Sequence, residues 1–362
     1  MRVLYLTDPQ LNYLADQLFT GIWKVLGQEN VIDYPHKPAY HDPSCKAWYL
    51  PQYTTSLFEK DTVIDLLREK AFDLAVLSAP RRNVIGTVQD LMENAKLPPL
   101  VLVDGEDDDR IRWNTFEELG CGLYFKREFR DRSQQGLEAW RYYWDSSFDN
   151  SRFQSRVFPL HFSAILETIP HNDVSDKDVD VSFFGRASNK KRIEAVNILK
   201  KASGIHFEGG YYFEPSDRKS KLVGRTMARL MTKITGDSYL SESERGERLS
   251  PGTYYTLLAR SKMALSVRGG GFDTPRYWEI VASRRLLVSE QPDIYIPFNF
   301  EHGKHAVFCR SDLSDLELLV RHYLREEEER EAIVKEGYAH LLKYHTCERR
   351  AEYFLEVCRR LL

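Results

Sequence analysis

The residues best suited to chemistry lie in one run of the second half of the chain, SVRGGGFDTPRYWEIVASRRLLVSE, from Ser266 to Glu290. Asp273 or Thr274 can cap a helix there, and Arg276 and Glu279 then stand three positions apart on one face of it. A cation at that place can neutralise a diphosphate, and a carboxylate can accept hydrogen bonds from ribose hydroxyls. The alternative is an Arg-Glu pair that only braces the loop.

Three consecutive glycines precede that helix, directly after an apolar run. Glycine permits backbone conformations closed to other residues and lets a ligand approach closely. The loop residues that we expect to contact a ligand are Arg268, Gly270, Gly271 and Thr274.

A second cationic cluster follows an earlier apolar run, in the segment FFGRASNKKR. Gly185 allows a tight turn, and Arg186 and Lys191 stand five positions apart at the mouth of a predicted helix. A helix N-terminus attracts phosphate through its free N–H groups and its dipole, and the two cations add charge. The alternative is an ordinary solvated basic helix start.

Strand-like and helix-like patterns alternate in the first half of the chain, which predicts a parallel sheet covered on both faces. The predicted strands are Arg2–Thr7, Asn30–Tyr34, Asp73–Ser78, Leu100–Asp104 and, more weakly, Gly122–Lys126. Predicted helices run from Leu14 to Val25, over Thr62–Glu69 and over Ile85–Asn94. We therefore predict a Rossmann-like N-terminal domain over residues 1–170, in which 127–156 has no clear periodicity.

A polar connector over residues 171–178 marks the expected domain boundary. A second alternating series then predicts a Rossmann-like C-terminal domain over 179–345, with a charged insertion over 211–254. Its predicted strands are Val179–Phe184, Ile205–Glu208, Met263–Val267 and Arg285–Ser289, and its helices Lys190–Ala202, Thr274–Ala282, Ser314–Tyr323 and Glu326–Tyr344. A last helix over 346–362 could pack back on the N-terminal domain. The fold class is thus α/β, with two Rossmann-like domains facing each other across a cleft.

Length and composition fit a two-domain globular protein. The chain has 362 residues, 42% of them hydrophobic, and a net charge of −3, which gives no electrostatic reason to expect nucleic acid as a partner. Five scattered cysteines form no CxxC pair, so neither a disulfide framework nor a zinc site is indicated. The N-terminus is typical of a first strand, and no apolar run is long enough to span a membrane. We expect a cytoplasmic protein.

The C-terminal motifs resemble those of GT-B glycosyltransferases, particularly the group similar to spore maturation protein CgeB, and more distantly exostosin-type enzymes. The resemblance runs from DVSFFGR through ARSKMALSVRGGGFDTPRYWEIVASRRLLVSE to the tail that begins HAVFCRSDL, and covers roughly residues 178–362. It implies that Arg186 and Lys191 match an R-x4-K phosphate pair, and that Glu279 matches the second Glu of an E-x7-E motif, associated with the nucleotide ribose. The first Glu of that motif falls at Gly271, which leaves sugar recognition and stereochemistry open.

In the N-terminal domain, DGEDDDR, YFKRE and FPLHFS also resemble elements of CgeB-like transferases. This domain usually faces the acceptor, and an inverting enzyme needs a base within reach of the acceptor hydroxyl. The candidates are Asp8, Asp104 and Asp107, with cation binding or simple loop solvation as the alternative for the acidic run. His36 and His41 are interpreted as surface or packing residues.

The resemblance implies transfer of a sugar from a nucleotide-diphosphate sugar, with uridine or guanosine as the base, to a glycan, protein or small-molecule acceptor. We predict no essential cofactor or metal, because cations can neutralise the leaving group; these are Arg186, Lys191, Arg268 and Arg276. One alternative is a noncatalytic nucleotide-sugar or glycan binding protein. Another is contact between the basic segment Arg218–Lys233 and a polyanionic acceptor, although nucleic acid is not the favoured partner.

Overall fold

The computed structural model describes residues 1–45, 47–51, 53, 57–130, 156–170, 177–212 and 248–362. Most of the predicted insertion lies outside the described residues, including its basic segment Arg218–Lys233. The same holds for most of the aperiodic stretch 127–156 and most of the predicted linker 171–178.

The N-terminal half forms a six-stranded parallel sheet, in the order β2-β1-β3-β4-β5-β6. Its strands are β1 (Val3–Leu6), β2 (Val31–Tyr34), β3 (Leu74–Leu77), β4 (Leu100–Asp104), β5 (Leu123–Lys126) and β6 (Val157–Pro159). The helices are α1 (Tyr13–Leu26), α2 (Pro38–His41), α3 (Lys60–Arg68), α4 (Arg82–Asn94) and α5 (Trp113–Glu118). Strands β1, β3, β4 and β5 are buried along their whole length, because their apolar side chains alternate between two helix-covered faces.

The C-terminal half forms a five-stranded parallel sheet, in the order β11-β10-β9-β7-β8. Its strands are β7 (Val179–Arg186), β8 (Phe207–Tyr212), β9 (Ser261–Ser266), β10 (Leu286–Glu290) and β11 (Val307–Cys309). The helices are α6 (Lys190–Lys201), α7 (Pro251–Arg260), α8 (Pro275–Ala282), α9 (Leu316–Arg325), α10 (Glu327–Tyr344) and α11 (Cys347–Leu361).

The last helix, α11, lies against α1 of the N-terminal half. A Cβ atom added to Gly21 of α1 would stand 2.7 Å from the carbonyl carbon of Cys347. The two helix backbones are therefore so close at this point that only glycine fits. Phe354 of α11 also contacts Phe125 of β5, with ring centroids 4.6 Å apart. One apolar core therefore contains residues of both halves, including α1, α8 and α11.

The predicted architecture of two Rossmann-like units is confirmed, and β4 has the predicted bounds. Other elements differ from the prediction. The structure adds α2, α5, β6 and β11, and β8 begins later and extends further than the predicted strand Ile205–Glu208. Helix α7 begins inside the predicted insertion 211–254 and continues six residues beyond it. Ser250 caps it by accepting a hydrogen bond from the Thr253 N–H, and Pro251 occupies its first turn.

Candidate functional site

A cleft of about 1070 Å³ lies between the two sheets. Each sheet has a topological switch point, where the strand order runs outward in opposite directions from two neighbouring strands. It lies between β1 and β3 in the N-terminal sheet and between β7 and β9 in the C-terminal sheet. Ligands of open parallel sheets bind outside the carboxyl ends of strands at such points. The segments that follow β7 and β9 line the cleft, as do Asp107 and Arg127 of the N-terminal half.

Arginine side chains from the C-terminal half concentrate positive charge in the cleft: Arg186, Arg192, Arg248 and Arg276. Arg192, in the first turn of α6, is buried and donates from Nε to the carbonyls of Val267 and Arg268 and from Nη1 to that of Arg186. Burial, and next the positive charge of Arg276, lower the pKa of Arg192 to about 9. A cation held in such an environment is stabilised by a bound anion.

Arg276 lies in the first turn of α8 and reaches back to β7. Its Nη2 donates to the Phe184 carbonyl at 2.6 Å, and its guanidinium carbon stands 5.0 Å from the centre of the Phe183 ring. Its buried Nε has no hydrogen-bond partner within the part of the chain that the structure describes. A Cβ atom at Gly185 would stand 2.8 Å from Nη2, so this glycine makes room for the guanidinium. Gly185 is part of β7 and not of a tight turn, which corrects the sequence interpretation.

Glu279 lies one turn after Arg276 on the same helix face and also lines the cleft. It accepts a hydrogen bond from the Tyr254 hydroxyl at 3.1 Å. Burial raises its pKa, while the charge of Arg276 and the Tyr254 hydrogen bond oppose that rise. Burial and the nearby Glu279 in turn raise the pKa of Tyr13, on the opposite wall, to about 12. The carboxylate thus faces a hydroxyl-bearing pocket shared by both halves.

Two predicted ligand cations are held away from the cleft. Lys191 Nζ lies 2.6 Å from Oε2 of Glu290, a buried residue at the end of β10. Arg268 Nε lies 3.2 Å from the same oxygen, and its Nη2 binds Asp293. Neither Lys191 nor Arg268 is among the cleft-lining residues, whereas Arg192, which was not predicted, is. The predicted R-x4-K pair is therefore not assembled in this structure.

The glycine loop after β9 is needed for close approach and not for unusual backbone angles. None of its three glycines has a φ in the left-handed region. A Cβ at Gly270 would stand 2.7 Å from Cγ of Asp107, and one at Gly271 would stand 2.9 Å from Oε2 of Glu128 and closer still to Oε1. Both carboxylates belong to the N-terminal half, so the loop is where the two domains meet.

A buried polar network joins the domains behind the glycine loop. Glu128 accepts hydrogen bonds from the backbone N–H groups of Phe272 and Asp273 at 2.9 and 3.0 Å. Arg127 donates to the carbonyl of Asp273 and to the carboxylate of Asp107. Burial raises the pKa of Glu128 to about 7, although the neighbouring Arg127 lowers it.

Asp273 completes this network from the C-terminal side, where it is fully buried. Its Oδ2 accepts from the Phe162 N–H at 2.7 Å and its Oδ1 from Trp278 Nε1 at 2.8 Å. Thr274 begins α8 without a capping hydrogen bond of its own, and its hydroxyl lies 3.2 Å from that of Ser266. The N-terminal domain thereby holds the start of the helix that carries Arg276.

The three predicted carboxylates occupy different environments. Asp107 lines the cleft, with a side chain that is 66% exposed. Asp8 is buried and is not among the lining residues, and its Oδ1 lies 3.4 Å from Arg81 Nη1. Asp104 is fully buried against Lys126 and three other donors and is not among the lining residues. Of the three, only Asp107 is among the residues that line the cleft.

A buried carboxylate that the sequence did not single out supports the N-terminal wall of the cleft. Asp16 of α1 is fully buried and accepts from Lys37 Nζ at 2.6 Å and from the hydroxyls of Tyr40 and Tyr49 at 2.7 Å each. Tyr49 and its neighbour Trp48 line the cleft. An aspartate in the first turn of a helix and a lysine in a loop are both common on protein surfaces. No local sequence pattern therefore indicates the buried pair of Asp16 and Lys37.

Comparison with known proteins agrees with this geometry. Residues 218–356 match the family model described as glycosyl transferase-like. The structure resembles Anabaena Alr3699/HepE in complex with UDP and glucose, with a TM-score of 0.61, 11% identity and all of both chains covered. It resembles a glycosyltransferase from Rickettsia africae ESF-5, with a TM-score of 0.63 and 8% identity over 99% of this chain and 98% of that one.

A sucrose-phosphate synthase from Thermosynechococcus elongatus is also similar, with a TM-score of 0.57 and 10% identity over 100% of this chain and 99% of that one. No curated protein matches this chain significantly in sequence. Among the described helices, none is both long and apolar enough to cross a membrane. The narrower resemblance to CgeB-like and exostosin-type enzymes stays a prediction. The structural likeness confirms the predicted fold: this chain has the GT-B fold, with two Rossmann-like domains facing each other across a cleft.

Proposed function

We propose that this chain is a glycosyltransferase that moves a sugar from a nucleoside-diphosphate sugar to an acceptor in the interdomain cleft. The observation that carries the proposal is the cluster of Arg186, Arg192 and Arg276 at the carboxyl edge of β7 and β9, one turn from Glu279. The glycosyl transferase-like match over residues 218–356 supports the same class of reaction.

The arginine cluster would bind the diphosphate of the donor. Arg192 and Arg276 stand in the first turns of α6 and α8, so backbone N–H groups and helix dipoles reinforce the side-chain charge. As the glycosidic bond to the diphosphate breaks, negative charge develops on the leaving oxygen, and fixed cations stabilise that charge in the transition state. These side chains can do so without a metal ion.

Glu279 would accept hydrogen bonds from the ribose hydroxyls, with the Tyr254 hydroxyl beside it. We propose a uridine or guanosine nucleotide, with uridine first, because the similar HepE structures contain UDP or UDP-glucose. The R-x4-K pair of the resemblance is replaced in this proposal by Arg186 and Arg192.

The acceptor would lie on the N-terminal side of the cleft. Its wall is mostly apolar and aromatic, with Tyr13, Trp48, Tyr49 and Phe162. Asp107 is the candidate general base, because it is the predicted carboxylate that lines the cleft. It would take the proton of the acceptor hydroxyl as that oxygen attacks the anomeric carbon and the nucleoside diphosphate departs.

Calorimetric titration with UDP and GDP tests the donor site. Arg276→Ala and Glu279→Ala should each abolish or strongly weaken binding, whereas Arg310→Ala, which removes an arginine side chain that is 74% exposed on the surface, should leave binding unchanged. Unchanged affinity in both cleft variants would refute the assignment. Circular dichroism of each variant separates lost binding from lost folding.

A noncatalytic nucleotide-sugar or glycan binding protein of the same fold is the second candidate. The glycine at position 271, where the resembling family has an acidic residue, favours it. Incubation with a panel of nucleotide sugars and candidate acceptors separates the two functions. Sustained release of nucleoside diphosphate requires turnover and would support the transferase, whereas tight binding without release would support the binding protein.

A further inference from the structure

A second group of chemistry-bearing side chains lies outside the cleft, around the loop that follows β2. It consists of Asp33, in β2, and of His36 and His41, which precede and end α2. One ring nitrogen of each histidine and one carboxylate oxygen of Asp33 all lie within 4.8 Å of one another. None of these three residues lines the cleft, so the proposed transfer reaction does not use them.

Asp33 and His41 already stand at the separation of two ligands of one ion. His41 Nε2 lies 2.9 Å from Oδ1 and 3.0 Å from Oδ2, and the two side chains are only 8% and 3% exposed. Two ligands about 2.0 Å from a tetrahedral zinc ion are separated by about 3.3 Å, so a small movement admits the ion. A hydrogen bond without any metal ion would also explain the short distance between Asp33 and His41. His36 distinguishes the hydrogen bond from a metal site.

His36 supplies the observation that a hydrogen-bonded pair does not explain. Its Nδ1 is buried and has no hydrogen-bond partner among the described residues, and its ring centroid lies 4.3 Å from that of His41. A buried polar atom without a partner is costly and calls for a ligand, an ion or a water molecule. One ring nitrogen of His36 also lies within 4.8 Å of the paired ligand atoms of Asp33 and His41.

The surrounding charges suit a cation. Asp33 brings one negative charge, and its Oδ2 also accepts from the Lys37 N–H at 3.0 Å. The ammonium group of Lys37 does not oppose an ion, because it is bound to Asp16 at 2.6 Å and to the Gln10 carbonyl at 2.7 Å.

We propose that Asp33, His36 and His41 bind a divalent transition metal ion of the zinc class, with water completing a four-coordinate shell. Two imidazoles and one carboxylate form a ligand set that suits such ions. The ion would fasten the segment 35–41 to the end of β2. It would play no part in the neutralisation of the donor diphosphate.

Titration of untagged, chelator-stripped protein with Zn²⁺ tests the site, by calorimetry and by thermal unfolding. We expect one Zn²⁺ per chain and a rise in melting temperature on addition of the ion. Both effects should be lost in His36→Ala and His41→Ala. His322→Ala is the matched control, because His322 is an exposed histidine paired with Glu329 elsewhere on the protein, and it should bind like the parent.

His36→Ala also distinguishes loss of metal binding from loss of folding. It leaves the Asp33–His41 hydrogen bond in place, so the metal-free variant should melt at the temperature of the metal-free parent. Absence of stoichiometric binding in the parent protein, or binding that persists in both His36→Ala and His41→Ala, would overturn the proposal. Cobalt(II) provides a second readout, since its visible absorption reports a four-coordinate shell with nitrogen ligands and should disappear in the same two variants.

Discussion

Substitution of Gly271 tests whether the glycine loop serves the contact between the domains. A Cβ at this position would stand 2.9 Å from Oε2 of Glu128 and closer still to Oε1. That carboxylate is 5% exposed and is fixed by the N–H groups of Phe272 and Asp273. Even Gly271→Ala must therefore displace the Glu128 carboxylate or the loop itself.

The expected cost follows from the hydrogen bonds at risk. A hydrogen bond to a charged group contributes about 1.5–3 kcal/mol, so losing two, with partial relaxation, should lower the free energy of unfolding by about 2–4 kcal/mol in Gly271→Ala. Gly271→Glu should lower it further, because it places a second carboxylate against the first. The motif of the resembling family would instead predict that Gly271→Glu improves sugar transfer.

Chemical denaturation of a double-mutant cycle measures this effect directly. In the Glu128→Ala background the clash is absent, so Gly271→Ala should become less costly by about 2 kcal/mol. Gly86→Ala is the matched control, since a Cβ on that helix residue meets no atom within 4 Å and alanine favours helix. Equal stability of Gly271→Ala and Gly86→Ala, or a cost that Glu128→Ala does not change, would refute the reasoning.

Three further perturbations test other parts of the structure. Burial raises the pKa of Glu128 to about 7, so the carboxyl group of Glu128 stays protonated to a higher pH in the native state than in the unfolded chain. Its contribution to stability is present below about pH 4.5 and is lost as the pH rises through about 7, and Glu128→Gln should flatten that slope in melting curves taken across this range. Lys37→Met leaves the charge of Asp16 buried and unpaired and should cost about 3–5 kcal/mol in urea denaturation; a loss below 1 kcal/mol, roughly that of a surface pair, would contradict this burial argument. Asp107→Asn should lower the turnover of nucleotide sugar about 100-fold or more with UDP affinity unchanged, and unaltered turnover would remove Asp107 as the base.

Strand positions could be predicted from the sequence where both faces of a strand are buried, because such a strand is a continuous apolar run. The run LVLVD became β4 without change, because both faces of that strand are covered. The sequence FEGGYY of β8 carries no such signal, and the apolar run of β11 is only three residues long. Helix α7 has a start signal in Ser250 and Pro251, but its first four residues fall in the charged stretch 211–254 that is predicted to be an insertion.

The cationic character of the site could also be predicted, but the identity of the ligand-facing cations could not. Lys191 and Arg192 are neighbours in α6, and successive helix residues point about 100° apart. Which of them faces the cleft depends on the phase of the helix and on Glu290, a partner that is 99 positions away from Lys191 and invisible to local patterns. The burial of Asp104 likewise depends on Lys126 of the neighbouring strand.

The glycine loop connects the stability of the domain contact to the proposed donor site. Glu128 and Arg127 bind the backbone at positions 272 and 273, immediately before α8. The first turns of that helix carry Arg276 and Glu279, so the N-terminal domain orders residues of the proposed donor site through the backbone. If the nucleotide binds there as proposed, and only when the domains are docked, docking and nucleotide binding are linked equilibria in which each strengthens the other. The Gly271 variants should therefore lose nucleotide affinity together with stability, although position 271 need not contact the nucleotide at all.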